Sequence, residues 1–575
     1  MKRSLHTATH IAVAVMYLAA TLLIWACDGV SVTHYYTRGM VVTVSPPASE
    51  IGRHVIEGGG NAFDAAVAVG FALAVTYPQA GNIGGGGFAT IRHGASGEIA
   101  VLDFRETAPA GATREMFLDS TGEVVEGRST RGALAAGVPG TVAGLYALWE
   151  KYGTMKWSDL VGAAARLADT GFTVDSILAT DFVRHRDRLS VFATTRQLYL
   201  PNGVTPSAGG RWQQPELAHS LYAIAEEGPA AFYTGVIADS IVSCMSQYGG
   251  LISYSDLERY RPVWREPLHY RFDSLDIYSV PPPSSGGVIV GQILKLLEPF
   301  EFSKFSPNSP DYIHLFCEAS RLAFADRSEH LGDPAFFDVP ASLLDSAYLD
   351  VRRALISRDH ASASEDIGAG NPRKYESGQT THYSICDSEG NMVAVTTTIN
   401  ESFGSGLVVV GGGFLLNNEM DDFAIKPGYA NVYGLVGNEA NAVAPGKRML
   451  SSMSPTLVMR NDRPFLILGS PGGSKIITTV AQAIINFTRF NLPLKETVRR
   501  PRFHHQWLPD EVYLEQGGYD VATIQRLIRY GHQVREGSPY GDLKAIYIGP
   551  TGMMTGVSDW RCGGLAAGCK EPIVK

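Results

Sequence analysis

The chain has 575 residues and a mass of 61.9 kDa, with 45% hydrophobic and 18% charged residues. This composition supports a large buried core and excludes global disorder, which combines low hydrophobicity with high net charge. The net charge of -9 gives no basic footprint, so we expect no binding to nucleic acid.

The N-terminus has the pattern of an export signal. A positively charged start precedes an uncharged, mostly apolar stretch over residues 11–26, which is short for a membrane span and long enough for a signal core. The sequence around Cys27 resembles a lipobox, in which this cysteine is lipidated and becomes the mature N-terminus. An ordinary cleaved signal and an uncleaved anchor are the alternatives. We therefore expect residues 1–26 to direct export, with the protein periplasmic or anchored at a membrane as a lipoprotein.

The pattern that follows alternates helices with paired strands. A strand over Met40 to Val44 precedes a helix that begins at Pro46 and ends at the glycines 58–60. The next helix, Ala62 to Thr76, is capped by Asn61 and apolar on nearly every side, so we expect it to be buried. Further strands are predicted at Phe88–Arg92, Ile99–Phe104, Thr380–Cys386 and Met392–Ile399. Because hairpins rather than helical crossovers join these strands, the pattern indicates an α+β fold with antiparallel sheets covered by helices.

Residues 356–379 change in character. A polar run from Ser357 to Asp366 is followed by glycines and a proline, which is typical of an exposed, mobile loop. The loop ends abruptly at Gln379-Thr380, where the next strand begins.

The six cysteines are too few to build the fold through disulfides. Cys562 and Cys569 are close enough in sequence to pair in an oxidising compartment. The other three beyond the export segment, Cys244, Cys317 and Cys386, have the surroundings of buried apolar residues. His504-His505 has no further ligand spacing nearby, so no metal role is predicted there.

Thr380 is the candidate nucleophile. Cleavage of the chain before it would expose its α-amino group, whose unperturbed pKa is about 7.7–8.0. The neutral amine can then act as the base for the threonine hydroxyl. The structural alternative is that the two threonines at this point merely begin a β-strand, where threonine is common.

The run Gly469-Ser470-Pro471-Gly472-Gly473-Ser474 precedes a helix with one apolar face. Backbone N–H groups at a helix N-terminus favour negative charge, and glycines let an acyl group approach them. The run is therefore a candidate oxyanion hole, with an ordinary strand-to-helix turn as the alternative.

Several scattered polar residues would suit the head group of an amino acid. Arg105 ends a strand, and its planar fork matches a carboxylate. Ser451 and Ser452 could donate to the same carboxylate, whereas Asn400, Glu419 and Asp422 could hold an ammonium group. Taken singly, each of these is better explained as a surface or turn residue.

Together these features resemble the gamma-glutamyltranspeptidases, or glutathione hydrolases, of the bacterial type with a lid loop. The resemblance covers nearly the whole chain after the export segment, and its segments occur in the family's order. They are Gly59 to Ala66, Asp103 to Glu106, Pro282 to Gly287, Thr380 to Ser384, Asn417 to Phe423, Leu450 to Pro455, Gly469 to Ser474 and Arg502 to Trp507.

The resemblance implies an N-terminal-nucleophile hydrolase, a four-layer αββα sandwich made as an inactive precursor. Self-cleavage at Gln379-Thr380 would give a large subunit, 27–379, and a small catalytic subunit, 380–575, which stay together as a heterodimer. Thr380 would attack the γ-glutamyl amide of glutathione and form an acyl-enzyme. Water, or an acceptor amino acid or peptide, would then resolve it.

The resemblance also assigns roles to individual residues. Thr398 matches the residue that hydrogen-bonds the nucleophile, and Gly472 and Gly473 match the oxyanion-hole amides. Arg105, Ser451 and Ser452 match the clamp for the α-carboxylate. Asn400, Glu419 and Asp422 match the clamp for the α-amino group.

A lid loop is implied by the segment from Lys426 to Gly437, in which Tyr433 matches the aromatic residue that covers the bound glutamyl group. We expect an occluded site that binds bulky acyl groups poorly. No metal or organic cofactor is implied, because the hydroxyl, the amine and two amides supply the mechanism. Lys475 stands where relatives often have arginine and is expected outside the residues that touch substrate.

Two alternatives remain at this level. A cephalosporin-acylase-type amidase would share the fold and nucleophile but act on glutaryl compounds, although a glutaryl group has no ammonium to clamp. An exported binding lipoprotein on a catalytically dead scaffold is the second, and the retained Thr380, Thr398 and glycine pair argue against it.

Overall fold

Two facing β-sheets form the centre of the protein. The computed structural model describes residues 35–369, 381–426, 429, 431–432, 435 and 439–570. The chain divides into residues 1–35 and a unit of residues 36–575, and the description below concerns the second unit. Cys27, Thr380 and Tyr433, singled out above, lie outside the described residues.

The strands in chain order are β1 Gly39–Thr43, β2 Gly86–Arg92, β3 Ile99–Asp103, β4 Phe172–Thr173, β5 Arg211–Trp212, β6 Val263–Arg265, β7 Leu268–Phe272, β8 Leu275–Ser279, β9 Thr381–Asp387, β10 Met392–Thr398, β11 Thr456–Arg460, β12 Arg463–Gly469, β13 Phe503–His504, β14 Val512–Glu515, β15 Val534–Gly537, β16 Lys544–Ile548, β17 Met554–Ser558 and β18 Leu565–Cys569.

The helices are α1 Pro46–Glu57, α2 Ala62–Thr76, α3 Thr141–Tyr152, α4 Trp157–Thr170, α5 Ser176–Arg184, α6 Arg186–Ser190, α7 Ala193–Tyr199, α8 Pro215–Glu227, α9 Pro229–Tyr233, α10 Val236–Tyr248, α11 Tyr254–Arg259, α12 Gly286–Leu297, α13 Pro310–His330, α14 Ser346–Arg353, α15 Lys475–Thr488, α16 Leu494–Arg499 and α17 Val521–Tyr530. Within the described ranges no helix is both long and apolar enough to cross a membrane.

The first sheet has seven strands in the order β18-β1-β9-β10-β2-β3-β6, and the second has six in the order β17-β16-β12-β11-β8-β7. Every neighbouring pair in both sheets is antiparallel, as the hairpin pattern predicts. Side chains from both sheets interdigitate between them, among them Val42, Met392, Leu457 and Ile467. Helix α2 contacts β9 and β10, and α12 and α15 contact the second sheet. The order helix, sheet, sheet, helix confirms the αββα sandwich.

Helix α2 shows how local sequence sets this arrangement. The Asn61 side chain accepts hydrogen bonds from the N–H groups of Phe63 and Asp64, and Asp64 accepts from the N–H of Asn61, which completes a capping box. All fifteen helical residues are buried, because the helix lies between the first sheet and an outer layer of helices. The prediction of a buried helix is confirmed.

The described part of the polar stretch, 356–369, is only partly the exposed loop that the sequence predicts. Ser364 and Ile367 are buried, and the indole of Trp507 donates to the carbonyls of both residues. The prediction of exposure is wrong for these two residues, because a polar composition gives no indication of their contacts with the C-terminal part of the chain. Residues 370–379 lie outside the description.

The cysteines are thiols where they are described. Cys244, Cys317 and Cys386 are buried, as predicted. Cys562 and Cys569 are not paired, and the suggested disulfide is therefore absent from the structure. The Cys569 thiol instead lies 3.9 Å from the carbonyl of Arg53, at the end of β18.

Candidate active site

The N-terminal end of β9 is the centre of the predicted site. Thr381, the first residue of this strand, pairs with Thr397 of β10, so the end of β10 lies beside the start of β9. The Thr398 hydroxyl accepts from the N–H of Asn400 at 2.7 Å, and Thr398 helps to lower the pKa of the buried Glu419 carboxyl. Thr398 therefore lies at the end of β10, directly after Thr397, the last residue of β10 that pairs with β9.

Asn400 makes the turn that follows β10. Its backbone has φ = 72°, a left-handed conformation that asparagine tolerates better than most residues. The side chain is buried and its amide donates to the carbonyl of Asn418 at 2.9 Å. This bond joins the end of β10 to the segment that carries Glu419 and Asp422.

The residues of the two predicted clamps form one buried ionic cluster. The Nη1 atom of Arg105 lies 2.5 Å from Glu419 Oε2, and its Nη2 atom lies 2.5 Å from Asp422 Oδ2. Glu106 is the third carboxylate, with Oε2 3.4 Å from Arg105 Nη1. All four side chains are at most 1% exposed. Residues that sequence places more than 300 positions apart are thus in direct contact.

The charges of this cluster are strongly coupled. Burial opposes ionisation of Arg105, but Glu419, Asp422 and Glu106 outweigh it and raise the pKa of the guanidinium. Burial raises the pKa of Glu419, and Arg105 opposes the rise. Burial and the neighbouring Glu419 raise the pKa of Glu106 well above its usual range. Three buried carboxylates around Arg105, one of which also interacts with the buried Arg327, therefore favour a protonated Glu106.

The serine pair is fixed beside this cluster by residues that the sequence analysis did not single out. The Ser452 hydroxyl accepts from Nη2 of the buried Arg327 at 2.7 Å, and the Ser451 hydroxyl accepts from the N–H of Met453 at 3.1 Å. A hydroxyl that accepts from a fixed donor can still donate its own proton. Both hydroxyls are thus oriented as donors for an anion.

The loop that carries the serine pair is tethered to the segment Pro282 to Gly287. The N–H of Ser451 donates to the carbonyl of Pro283 at 2.9 Å, and the N–H of Ser285 donates to the carbonyl of Ser451 at 2.8 Å. This gives the Pro-Ser-Gly segment a positioning role that its composition alone does not reveal. Arg327 gives no sequence signal beyond being a cation on a helix that is otherwise buried.

The glycine-rich turn joins β12 to the N-terminus of α15, as predicted. Gly472 and Gly473 have φ values of 134° and 61°, a region that favours glycine. Their carbonyls accept from the N–H groups of Lys475 and Ile476 and so begin the helix. A Cβ at Gly469 would lie 2.3 Å from the ring of His382, so this glycine is needed for β12 to approach β9.

His382 has a structural role under the turn. Its ring nitrogens lie 2.8 Å from the Thr396 hydroxyl and 3.1 Å from the Ser384 hydroxyl. Burial lowers the pKa of His382 to about 3, so the imidazole is neutral at physiological pH. It therefore supports the strands rather than acting as a general base.

A pocket of about 660 Å³ opens beside these elements. Of the predicted site residues, Asn400 and Gly472 line it, whereas Arg105, Glu419, Asp422, Ser451 and Ser452 are buried and do not. The charged residues of its wall are Asp181, Arg184, Lys475 and Arg561.

Lys475 also lies in the wall of this pocket. Its ammonium lies 3.6 Å from the ring centroid of Tyr513 and 4.6 Å from that of Tyr540, which are cation–π contacts. Burial lowers the pKa of Lys475 to about 8. The first residue of α15 thus places a titratable cation beside the glycine turn.

The described part of the predicted lid is attached next to the ionic cluster. The N–H of Val432 donates to Asp421 Oδ2 at 3.2 Å, and the Ser129 hydroxyl donates to Asp421 Oδ1 at 2.6 Å. Asp421 is buried and immediately precedes Asp422. The sequence analysis did not assign Asp421 a role, although its position between clamp and lid was visible in the sequence.

Comparison with known proteins identifies the relatives of this chain. A family described as "Gamma-glutamyltranspeptidase" matches residues 48–569. The "Glutathione hydrolase proenzyme" of Escherichia coli K12 is 46% identical over 526 residues, which cover 91% of this chain and 90% of that protein. The "Acylase ACY 1 proenzyme" of Pseudomonas sp. SE83 is 37% identical and covers 92% and 93% of the two chains.

A solved structure of cephalosporin acylase from Bacillus halodurans superposes with a TM-score of 0.84 at 28% identity. It covers 94% of this chain and 97% of that one. The fold is therefore shared across nearly the whole length.

Proposed function

The chain belongs to the gamma-glutamyltranspeptidase family, and we propose that it hydrolyses glutathione and transfers its γ-glutamyl group. It is an enzyme of the N-terminal-nucleophile hydrolase type. The observation that carries the substrate assignment is the buried cluster in which Arg105 contacts both Glu419 and Asp422. This cluster is built for a ligand that carries one positive and one negative charge.

In the proposed recognition, the charged groups of the substrate replace the ion pairs that the cluster residues make with one another. The α-carboxylate of a γ-glutamyl compound would take the fork of Arg105 and the hydroxyls of Ser451 and Ser452. Its α-ammonium would take Glu419, Asp422 and the Asn400 side chain. Because a zwitterion brings equal and opposite charges, it can replace the internal ion pairs without changing the net charge of the cluster. Ordinary peptides lack this free head group at the scissile amide and would not bind.

The precursor would cleave itself between Gln379 and Thr380, giving subunits 27–379 and 380–575 that remain associated. Two observations support this proposal. The junction immediately precedes β9, where Thr398 and the end of β10 adjoin, and the E. coli relative is named a proenzyme. Burial of β9 at the centre of the first sheet would hold the small subunit in place after cleavage.

In the reaction, the Thr380 hydroxyl would attack the γ-carbonyl carbon while its proton passes to the Thr380 amine. The N–H groups of Gly472 and Gly473 would stabilise the oxyanion. Collapse would break the C–N bond, return the proton to the leaving amine and leave a γ-glutamyl ester on Thr380. Water would release glutamate, or an acceptor amine would form a new γ-glutamyl amide.

Thr398 would orient the nucleophile. Its hydroxyl accepts from the N–H of Asn400, and Thr398 helps to lower the pKa of the Glu419 carboxyl. The Thr380 hydroxyl would bond to the Thr398 hydroxyl oxygen, the role that the family resemblance assigns to Thr398. Thr398 also links the nucleophile to the ammonium clamp, because Glu419 belongs to both.

The proposal also covers access to the active site and the location of the protein in the cell. Tyr433, on the loop whose neighbour Val432 is held by Asp421, would cover the bound glutamyl group. Residues 1–26 would direct export to the periplasm, with lipidation of Cys27 as the route to membrane attachment. Mass spectrometry of the mature large subunit would distinguish a lipidated Cys27 from plain cleavage.

A glutaryl amidase is the second candidate, since acylases are among the relatives in both sequence and structure. The direct test compares kcat/KM for γ-glutamyl and glutaryl p-nitroanilides with the same purified enzyme. We expect the γ-glutamyl compound to be preferred at least tenfold. Preference for the glutaryl compound would overturn the substrate assignment.

A denaturing gel tests the catalytically dead alternative. A live enzyme should run as two bands whose masses together account for the mature precursor. N-terminal sequencing of the smaller band should begin Thr-Thr-His, and any other start would reject Thr380 as the nucleophile.

A further inference from the structure

A second cluster of polar side chains lies at the junction of α13 and α17. It consists of His314, Glu318 and His532, all of which are buried. None of the three lines the pocket or belongs to the ionic cluster around Arg105. Two imidazoles and one carboxylate thus meet inside the protein, where a buried polar or charged group requires a hydrogen-bond or ionic partner.

The three residues converge because of helical spacing and one tight turn. His314 and Glu318 lie four positions apart on α13, which places them on one face of the helix. His532 follows Gly531, the left-handed residue that ends α17. One ligand atom from each residue lies within 4.8 Å of the others. His314 Nδ1 and His532 Nε2 are 2.9 Å apart.

The surrounding contacts orient His314 and Glu318 as ligands. His314 Nε2 lies 3.0 Å from the carbonyl of Ser357, so Nε2 carries the proton and Nδ1 presents its lone pair to the cluster. The ring of His314 also stacks on Tyr530 at 4.3 Å. The Ser362 hydroxyl donates to Glu318 Oε2 at 2.5 Å, and its N–H lies within hydrogen-bond distance of the same carboxylate. Such outer hydrogen bonds are what fix the ligands of metal sites.

The charge around the cluster also fits a cation. Arg321 contacts Glu318 Oε1 at 3.3 Å, but its other end pairs with Asp510. The arginine is therefore compensated by Asp510, and the charge of Glu318 remains for a further positive partner. Two imidazole nitrogens and one carboxylate form a common ligand set for zinc.

We propose that His314 Nδ1, His532 Nε2 and Glu318 bind one zinc ion, with water in the fourth position. Zinc–ligand bonds of about 2.0–2.2 Å at tetrahedral angles place ligand atoms roughly 3.3 Å apart. The two nitrogens therefore need to separate by a few tenths of an ångström, whereas the Glu318 oxygen, which lies within 4.8 Å of them, needs to move closer. Magnesium and calcium prefer oxygen ligands, and the imidazole pair disfavours them.

The zinc would be structural rather than catalytic. His314 and Glu318 lie in the proposed large subunit and His532 in the small one, so the ion would connect the two pieces after cleavage. Ser357 and Ser362, which orient the ligands, lie in the segment that leads to the proposed junction. The zinc site itself does not depend on the substrate assignment.

Metal content is the first test. Untagged, processed enzyme from zinc-supplemented growth should contain about one zinc per chain by mass spectrometry of the metals. His532→Gln should lower that content at least tenfold, whereas His219→Gln, a change at an exposed histidine on α8, should leave it unchanged. Absence of zinc from the wild type, or equal zinc in His532→Gln, would overturn the proposal.

A second measurement uses only the wild-type protein and so does not depend on a variant folding. Zinc added to chelator-treated enzyme should raise Tm by roughly 2 °C or more, as expected for a ligand that binds only the folded state. Magnesium at the same concentration should not. If zinc leaves Tm unchanged, the residues are a hydrogen-bonded histidine pair beside a glutamate, and the proposal is wrong.

Discussion

Replacement of Arg105 by lysine tests whether the proposed clamp needs only a positive charge or also the planar shape of the guanidinium group. Lysine keeps one positive charge among Glu419, Asp422 and Glu106, so the cluster stays partly compensated. It loses the planar fork, whose two terminal nitrogens each make a contact of 2.5 Å with a carboxylate. The substrate carboxylate would then bind a single point charge rather than two aligned donors.

The expected loss can be estimated from those two contacts. A hydrogen bond to a charged group contributes about 1.5–3 kcal/mol. Because lysine keeps one donor and loses the other, kcat/KM should decrease roughly 10- to 150-fold, mainly through a higher KM. Processing should be unaffected, because the clamp acts on the ligand and not on the scissile peptide.

The assay is steady-state hydrolysis of γ-glutamyl p-nitroanilide, with a denaturing gel to show processing and Tm to show folding. Arg265→Lys is the matched control, because Arg265 also pairs with a buried carboxylate, Asp103 at 2.7 Å, but lies outside the cluster. An unchanged KM in Arg105→Lys, or equal losses in both variants, would refute the role of Arg105 in substrate binding.

Three further predictions concern the nucleophile, the glycine turn and the pocket lysine. Thr380→Ala should abolish both cleavage and turnover, and two normal bands on a gel from this variant would contradict the mechanism. Gly473→Ala, at φ = 61°, should displace an oxyanion donor and lower kcat about 10²- to 10³-fold with little change in KM. Gly517→Ala has similar backbone strain, at φ = 73° with open space around the added Cβ, and should retain full kcat. Lys475→Met should raise Tm at pH 7, because burial depresses the lysine pKa from 10.5 to about 8. Between pH 8 and pH 10.5 the unfolded chain binds more protons than the folded chain, so the stability of the wild type rises with pH. The Tm difference between the variant and the wild type should therefore shrink from pH 8 to pH 10. A Tm difference that stays constant over this range would show that Lys475 is not the titrating group.

The fold was predictable where one local pattern sufficed. The Asn61 cap, the all-apolar run of α2 and the strand–turn–strand pattern of β9 and β10 each fix an element through neighbouring residues. The αββα layering came from the family resemblance, since no local signal says which sheet faces which. Burial of Ser364 and Ile367 was missed because their partner, Trp507, is about 140 positions away.

The residues of the candidate site also fall into those that a local sequence pattern predicts and those that depend on distant contacts. The glycine turn and the threonines of β9 and β10 are local features, and the sequence identifies them directly. The clamp joins Arg105 to residues more than 300 positions distant, and only the resemblance brought them together before the structure was considered. Arg327, Glu106 and Asp421 went unassigned because their roles lie in holding another side chain, for which their own sequence surroundings carry no signal.

The charge balance of the cluster explains why a shared fold need not share a substrate. Arg105 is already compensated by Glu419 and Asp422 in the structure, and burial favours the protonated form of Glu106. A γ-glutamyl group adds a carboxylate and an ammonium and preserves this balance. A glutaryl group adds only the carboxylate, so the cluster would carry one further buried negative charge, at a cost of several kcal/mol. For this chain to act on glutaryl compounds, one of these carboxylates would have to be neutralised. Selection against glutaryl substrates therefore resides in the ammonium side of the clamp rather than in the nucleophile.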